Sequence, residues 1–182
     1  MATRLIKLSA GIQGRTSKLI QPAREQRGFH VRGVFEIQLQ KAMLTLSEIK
    51  TEVDRLAAQI GASGNILPTY GRSEDGARPH IEVDSRGYHY VVVERGQELA
   101  RLTTNELDEL LYNIFESMTF SLACKYELAH RIETQDCRRI IFQRQVELLS
   151  ELSRRWGERE SQRHKEILRR HPFDDNANIR AS

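Results

Sequence analysis

The sequence predicts an α+β fold: a three-stranded antiparallel meander with about four helices packed on it. Three observations carry that expectation. Apolar residues recur at helical spacing from Met43 to Ile60 and again beyond Thr103. Between these stretches lie short runs rich in β-branched and aromatic residues, punctuated by turn-forming residues. A sheet with an apolar face also needs cover, which the helices must supply.

Thr45 and Glu48 form a Thr-x-x-Glu capping pair, and Ile49, Val53, Leu56, Ala57 and Ile60 then mark one face of a helix. Gly61 ends it, because glycine accepts positive φ without penalty. The Gly-, Ser- and Pro-rich stretch Ala62–Arg78 reads as ordered loop. Pro79–Asp84, Tyr88–Arg95 and Gln97–Leu102 read as the strands, joined by Asp84-Ser85-Arg86-Gly87 and by Arg95-Gly96. Val91, Val92 and Val93 put apolar groups on both faces of the middle strand, which predicts partial cover on each side. Thr103 and Glu106 form a second capping pair, opening a helix with the stripe Leu107, Leu110, Leu111, Ile114, Phe115, Met118 and Leu122. Asn105, Glu106, Asp108, Glu109 and Glu116 lie on its other face, which reads either as a solvated face or as an acidic patch steering a basic partner. A third helix is expected from near Asp136. A fourth, from about Arg154 to Arg170, is weakly amphipathic through Trp156, Ile167 and Leu168, and Pro172 stops it.

At 182 residues, with 39% hydrophobic and 29% charged side chains, the chain has the composition of an ordinary folded domain. Its two cysteines, Cys124 and Cys137, cannot build a disulfide scaffold, and a reducing, cytoplasmic compartment is the natural expectation. No apolar run approaches the roughly 18 residues that span a bilayer. The net charge of +3 is unevenly spread. Residues 1–42 hold eight basic and two acidic groups, hence +6, which leaves −3 for Met43–Ser182. The basic stretch is acid-poor and broken by glycines. It reads as a disordered basic leader or a transit peptide, or as a misassigned start with Met43 as the true initiator. The organisation expected is therefore this leader, a domain over 43–175, and a polar tail over 176–182.

Phosphate-loop, GxSxG, HExxH and paired CxxC motifs do not occur, and the six histidines are scattered, so no metal or cofactor is expected. His89, between Tyr88 and Tyr90, reads as a surface or second-layer residue, and Cys124 as a structural thiol. The densest charged string, Glu94-Arg95-Gly96-Gln97-Glu98, sits at the second turn. Glu127 and Arg131 share a helix face, and Asp136, Arg138 and Arg139 follow in the next connection. Three readings stay open for these groups. They can form an exposed recognition surface, an acid–base site, or an ion-pair network that pins the hairpin to the helices.

Several segments carry a family resemblance. They are Leu67-Pro68-Thr69-Tyr70-Gly71, the run Tyr88–Glu98, Leu107–Tyr112, Phe120–Ala123, Tyr126-Glu127-Leu128, Asp136-x-Arg138-Arg139 and His171-Pro172-Phe173-Asp174-Asp175. Together they resemble the immunity protein 63 family of bacterial polymorphic toxin systems, over about Met43 to Asp175. The resemblance implies an α+β protein that neutralises a toxin encoded nearby, with no catalytic residue to carry over. Asn113 and Cys137 stand where similar proteins are expected to carry aromatic residues. The expected partner is thus a cognate protein toxin, not nucleic acid or membrane. The expected contacts are Glu94, Arg95 and Glu98 at the hairpin tip, with Tyr70 and Tyr112 as aromatic anchors. An enzyme that removes the toxin's product, built around Glu94, Glu98, Glu127 and Arg131, is the alternative. A nucleic-acid-binding protein using the basic leader is a third.

Overall fold

The structure, a computed structural model, describes residues 43–176. The expected leader over 1–42 and the tail beyond Asn176 lie outside the described residues.

The first helix, α1 (Leu46–Gln59), is closed at both ends by its own sequence. The Glu48 amide donates to Thr45 Oγ1 at 3.3 Å, and the Thr45 amide donates to Glu48 Oε2 at 2.8 Å, completing the capping box. At the far end Gly61 takes φ +67°, and the Ala62 and Gly61 amides donate back to Ala57 and Ala58 as a Schellman pair. Ile49, Val53, Leu56 and Ala57 are buried, as their spacing predicts.

The sheet has four strands in the order β1 (Thr69–Tyr70), β2 (His80–Asp84), β3 (Gly87–Glu94) and β4 (Gln97–Thr104). The meander β2–β3–β4 is antiparallel, as expected, with a bulge between Val92 and Val93. β1 is an addition: it pairs in parallel with β2, so the sheet is mixed rather than a three-stranded meander. Two residues have no readable period. The pairing comes from tertiary bonds, with Thr69 and Gly71 amides donating to the Pro79 and Ile81 carbonyls.

Alternation sorts the sheet residues. Tyr88 and Tyr90, opposite Val83 and Ile81, join the main apolar core. His80, His89 and Val91 point to the opposite face yet are also buried, so β3 is covered on both sides, as its triple valine predicts.

The helices α2 (Leu107–Ala129), α3 (Arg138–Leu152) and α4 (Arg154–Arg170) follow. Leu110, Leu111, Ile114, Phe115 and Met118 of α2 enter the core with α1 and the sheet. Trp156 of α4 stacks on Phe115, with centroids 6.0 Å apart. The second capping box does not form. β4 runs on through Thr104, Thr103 Oγ1 instead meets His89 Nδ1 at 2.8 Å, and Glu106 takes the N-cap position. A strand pairing with β3 has taken the threonine that a local reading gives to the helix.

Candidate functional site

The hairpin between β3 and β4 turns at Arg95 and Gly96, both at positive φ (51° and 73°), as a type I′ connection requires. A neighbouring loop fastens this turn. Asp75 accepts the Gly96 amide on Oδ1 at 2.6 Å and the Arg95 amide on its carbonyl at 3.4 Å. The Ala77 amide donates to Val93, and Gly76 bridges Glu94. Asp75 and Ala77 themselves sit at φ 57° and 59°. Left-handed backbone costs a non-glycine residue about 1 kcal/mol. Three such residues meeting at one tip indicate a shape the surrounding bonds enforce. The Arg95 side chain is held out at 91% exposure, and among the described residues its guanidinium lies 3.8 Å from Glu94.

Glu98 lies one step down the strand. Arg101 binds both its carboxylate oxygens and also reaches Glu82 at 2.9 Å, and Glu82 meets His80 at 3.1 Å. The Arg101 guanidinium holds Glu98 and Glu82 below the usual carboxylate range. The sequence reading missed Asp75, although Ser73-Glu74-Asp75-Gly76 is turn chemistry.

The two expected aromatic anchors are elsewhere. Tyr70 is only partly exposed and packs against the apolar core. Its hydroxyl is buried without a hydrogen-bond partner among the described residues, and burial pushes its pKa up. Tyr112 is 3% exposed, with its hydroxyl donating to Glu160 at 2.6 Å and Arg159 stacked 3.7 Å from its ring centre. Tyr112 thus presents no open aromatic face in this conformation.

The remaining charged candidates are engaged in ion pairs. Glu127 is buried under its bidentate partner Arg131. Asp136 receives the amides of Arg138 and Asp174 as well as the Arg138 guanidinium, which together hold it far below the usual carboxylate range. Arg138 also donates to the carbonyls of His171 and Pro172, and Arg139 pairs with Asp175 and lies over Phe173. This network pins the C-terminal segment to the start of α3. It does not pin the hairpin to the helices, because Arg101 and Arg95 find their carboxylates within the sheet.

The acidic face of α2 is likewise spent. Asp108, Glu109 and Glu116 pair with Arg155, Arg159 and Arg163, one turn apart on α4. That ladder joins two helices, so these carboxylates do not form an open steering patch. Asn113 donates to Glu109 beside them. Half of the buried face of α4 is polar: Glu160 and His164 stand alongside Trp156 and Gly157. Glu160 accepts from Tyr112, His164 and Arg163, and His164 Nε2 also meets Gln145 Oε1. Both neighbours of that nitrogen are acceptors, so Nε2 carries the hydrogen. Burial works against the Glu160 charge, but the bonds from His164 and Tyr112 and the Arg163 charge outweigh it and hold its pKa at about 2.

Glu94, Glu98, Glu127 and Arg131 do not converge. They belong to three local pairs, and the pKa values of Glu98 and Glu127 are lowered by their arginines, opposite to what a general acid needs. His89 is buried, with Nε2 on Asp84 and Nδ1 on Thr103. Burial pushes the Cys124 thiol up, away from thiolate reactivity. Among the described residues no group of three His, Cys, Asp or Glu is placed to hold a metal ion, and no helix is long and apolar enough to cross a membrane.

The fold is a small α+β domain whose β3–β4 hairpin ends in a fastened, charged turn. Residues 84–166, from the end of β2 to within the last turn of α4, match the family model described as Immunity protein 63. This matched segment covers less than half of the chain and lies within the stretch whose motifs resemble that family. Neither curated proteins nor solved structures give a match.

Proposed function

We propose that the body over residues 43–175 neutralises a cognate bacterial toxin by binding it one to one in the cytoplasm, with the hairpin tip as a recognition element. The observation behind the tip is its enforced shape: Asp75 fastens the Arg95–Gly96 turn, and Arg95 stands exposed, its guanidinium 3.8 Å from Glu94 among the described residues. A preorganised arginine loses little freedom on docking, and arginine is a frequent hot spot. Glu94 flanks it and Glu98 extends the same edge. Tyr70 and Tyr112 act from within, by supporting the fold.

The test is co-expression with the toxin encoded beside this chain's gene, followed by titration of purified toxin activity. Protection that saturates at one copy per toxin, with a complex that co-purifies, is expected. Protection at far below one copy per toxin indicates a catalytic antidote and refutes the proposal. Arg95→Ala should weaken the complex roughly tenfold or more while leaving the melting temperature unchanged.

A further inference from the structure

The C-terminal half of α2 and the facing half of α3 leave a surface groove that none of the toxin-binding candidates lines. Two adjoining depressions, about 270 and 290 Å3, share Tyr126, His130 and Arg144. The floor is apolar, with Ile60, Leu122 and Leu148 at one end and Ile140 at the other. Ile132 stands at its edge 50% exposed, and Tyr126 is 41% exposed. Tyr126 is held rigid. His130 stacks on its ring with centroids 4.0 Å apart, its Nδ1 lies 2.8 Å from the Tyr126 carbonyl, and the Arg144 guanidinium lies 5.3 Å from the ring centre. An exposed, immobilised tyrosine beside an arginine and an uncovered isoleucine is the composition of an interface centre.

The rim carries the opposite sign to the body. Lys125 has no carboxylate partner among the described residues. The single carboxylate present, Glu147, is shared by Arg144 at 3.1 Å and the Gln143 side chain at 3.0 Å. Two cations and one occupied carboxylate around an apolar floor favour an incoming carboxylate, although residues 43–182 together carry −3. We infer that this groove seats an acidic segment of the toxin bearing an apolar or aromatic anchor, a contact separate from the hairpin tip. The inference rests on the toxin-binding reading for its occupant and on the groove's own chemistry for its specificity.

Two measurements separate these dependencies. In the first, the protein is titrated with a synthetic twelve-residue peptide alternating Asp with Leu and Phe, and with its Lys-for-Asp counterpart, while backbone amide resonances are followed. The acidic peptide should shift amides over 122–132 and 140–148, and the basic one should not. Equal response to both peptides, or none to either, overturns the groove. In the second, affinity for the purified toxin is measured for wild type, Ile132→Glu and Lys125→Glu. Both positions are solvent-facing, and unchanged melting temperatures verify the fold. Each variant should lose roughly tenfold in affinity. If both bind as wild type does while Arg95→Ala binds weakly, the groove is overturned and the toxin-binding reading stands. If wild type forms no toxin complex, that reading falls and takes the proposed occupant with it.

Discussion

Replacing Glu160 with glutamine tests whether the buried polar seam between α2, α3 and α4 holds this domain together. The shape is nearly unchanged, and the glutamine carbonyl can still accept from the Tyr112 hydroxyl. What is lost is the negative charge facing His164 at 2.9 Å and Arg163 at 2.8 Å. The protein holds this carboxyl at about 2, against an ordinary 4.5. At about 1.4 kcal/mol for each pH unit, the ionised form is favoured over the neutral one by about 3 kcal/mol. Glutamine stands in for the neutral form, so Glu160→Gln should cost on the order of 3 kcal/mol at pH 7. That is a large share of the 5–15 kcal/mol typical of a domain.

The pH dependence follows with a definite sign. A carboxyl whose folded-state pKa is depressed contributes fully above its unfolded value and loses that contribution as pH falls toward the folded value. The gap between wild type and Glu160→Gln should therefore close between about pH 4.5 and pH 2, the window set by the pKa shift. Urea denaturation of both proteins at pH 7, 5, 4 and 3 reads it, and comparing differences removes the contribution of other carboxylates. A gap under about 1 kcal/mol at pH 7, or one that stays constant down to pH 3, refutes the reasoning.

Other perturbations probe different parts of the frame. Gly157 of α4 packs so closely on Ser150 of α3 that an added methyl lies 3.0 Å from the Ser150 Cβ and 3.1 Å from its Cα. Gly157→Ala should cost about 1–3 kcal/mol in denaturant unfolding by forcing the helices apart. Asp136→Ala leaves the Asp174 and Arg138 amides without their acceptor and removes the counter-charge of the Arg138 guanidinium, which keeps its bonds to the His171 and Pro172 carbonyls. It should cost about 3–5 kcal/mol and open the 171–175 segment to proteolysis, and an unaltered cleavage pattern there would contradict the pinning. Asp75→Ala removes the acceptor of the Gly96 amide and leaves a left-handed alanine. Faster amide exchange at Gly96, with little change in global stability, is the expected result.

Local chemistry was legible at several places where a residue's partner lay nearby in the chain. The Thr45–Glu48 box, the Gly61 stop, the Arg95–Gly96 turn and the α2 stripe all depend on neighbours within about four positions, and all formed. Thr103 shows the limit. Its capping partner was local, but His89 on β3 offered a competing bond across the sheet, and the strand prevailed. β1 was invisible because two residues have no period, and its bonds reach the Pro79–Ile81 backbone. α4 has the bounds the sequence predicts, but the polar half of its buried face was not legible. Hydrophobic periodicity cannot register a face that buries Glu160 and His164, whose cost is offset by Tyr112, Arg163 and Gln145 on other turns and helices. The same blindness turned Tyr112 into an expected surface anchor. A tyrosine beside a leucine stripe looks like an edge residue until its buried carboxylate is known.

Charge shows how these misreadings bear on function. Composition suggested an acidic helix face available to a basic toxin, yet Asp108, Glu109 and Glu116 are neutralised by an arginine ladder, and most other carboxylates have similar partners. Groups already paired gain little from a partner, because each new contact must first break or share an old one. In the proposed reading, recognition falls to groups with few partners among the described residues, such as Arg95 on a strained turn and Tyr126 beside Lys125. An interface built from those few positions draws its specificity from geometry more than from net charge. Its equilibrium affinity should therefore depend less steeply on salt than the 29% charged composition suggests. A measured affinity for the toxin that collapses between low and physiological salt would place the interface on a broad charged face instead.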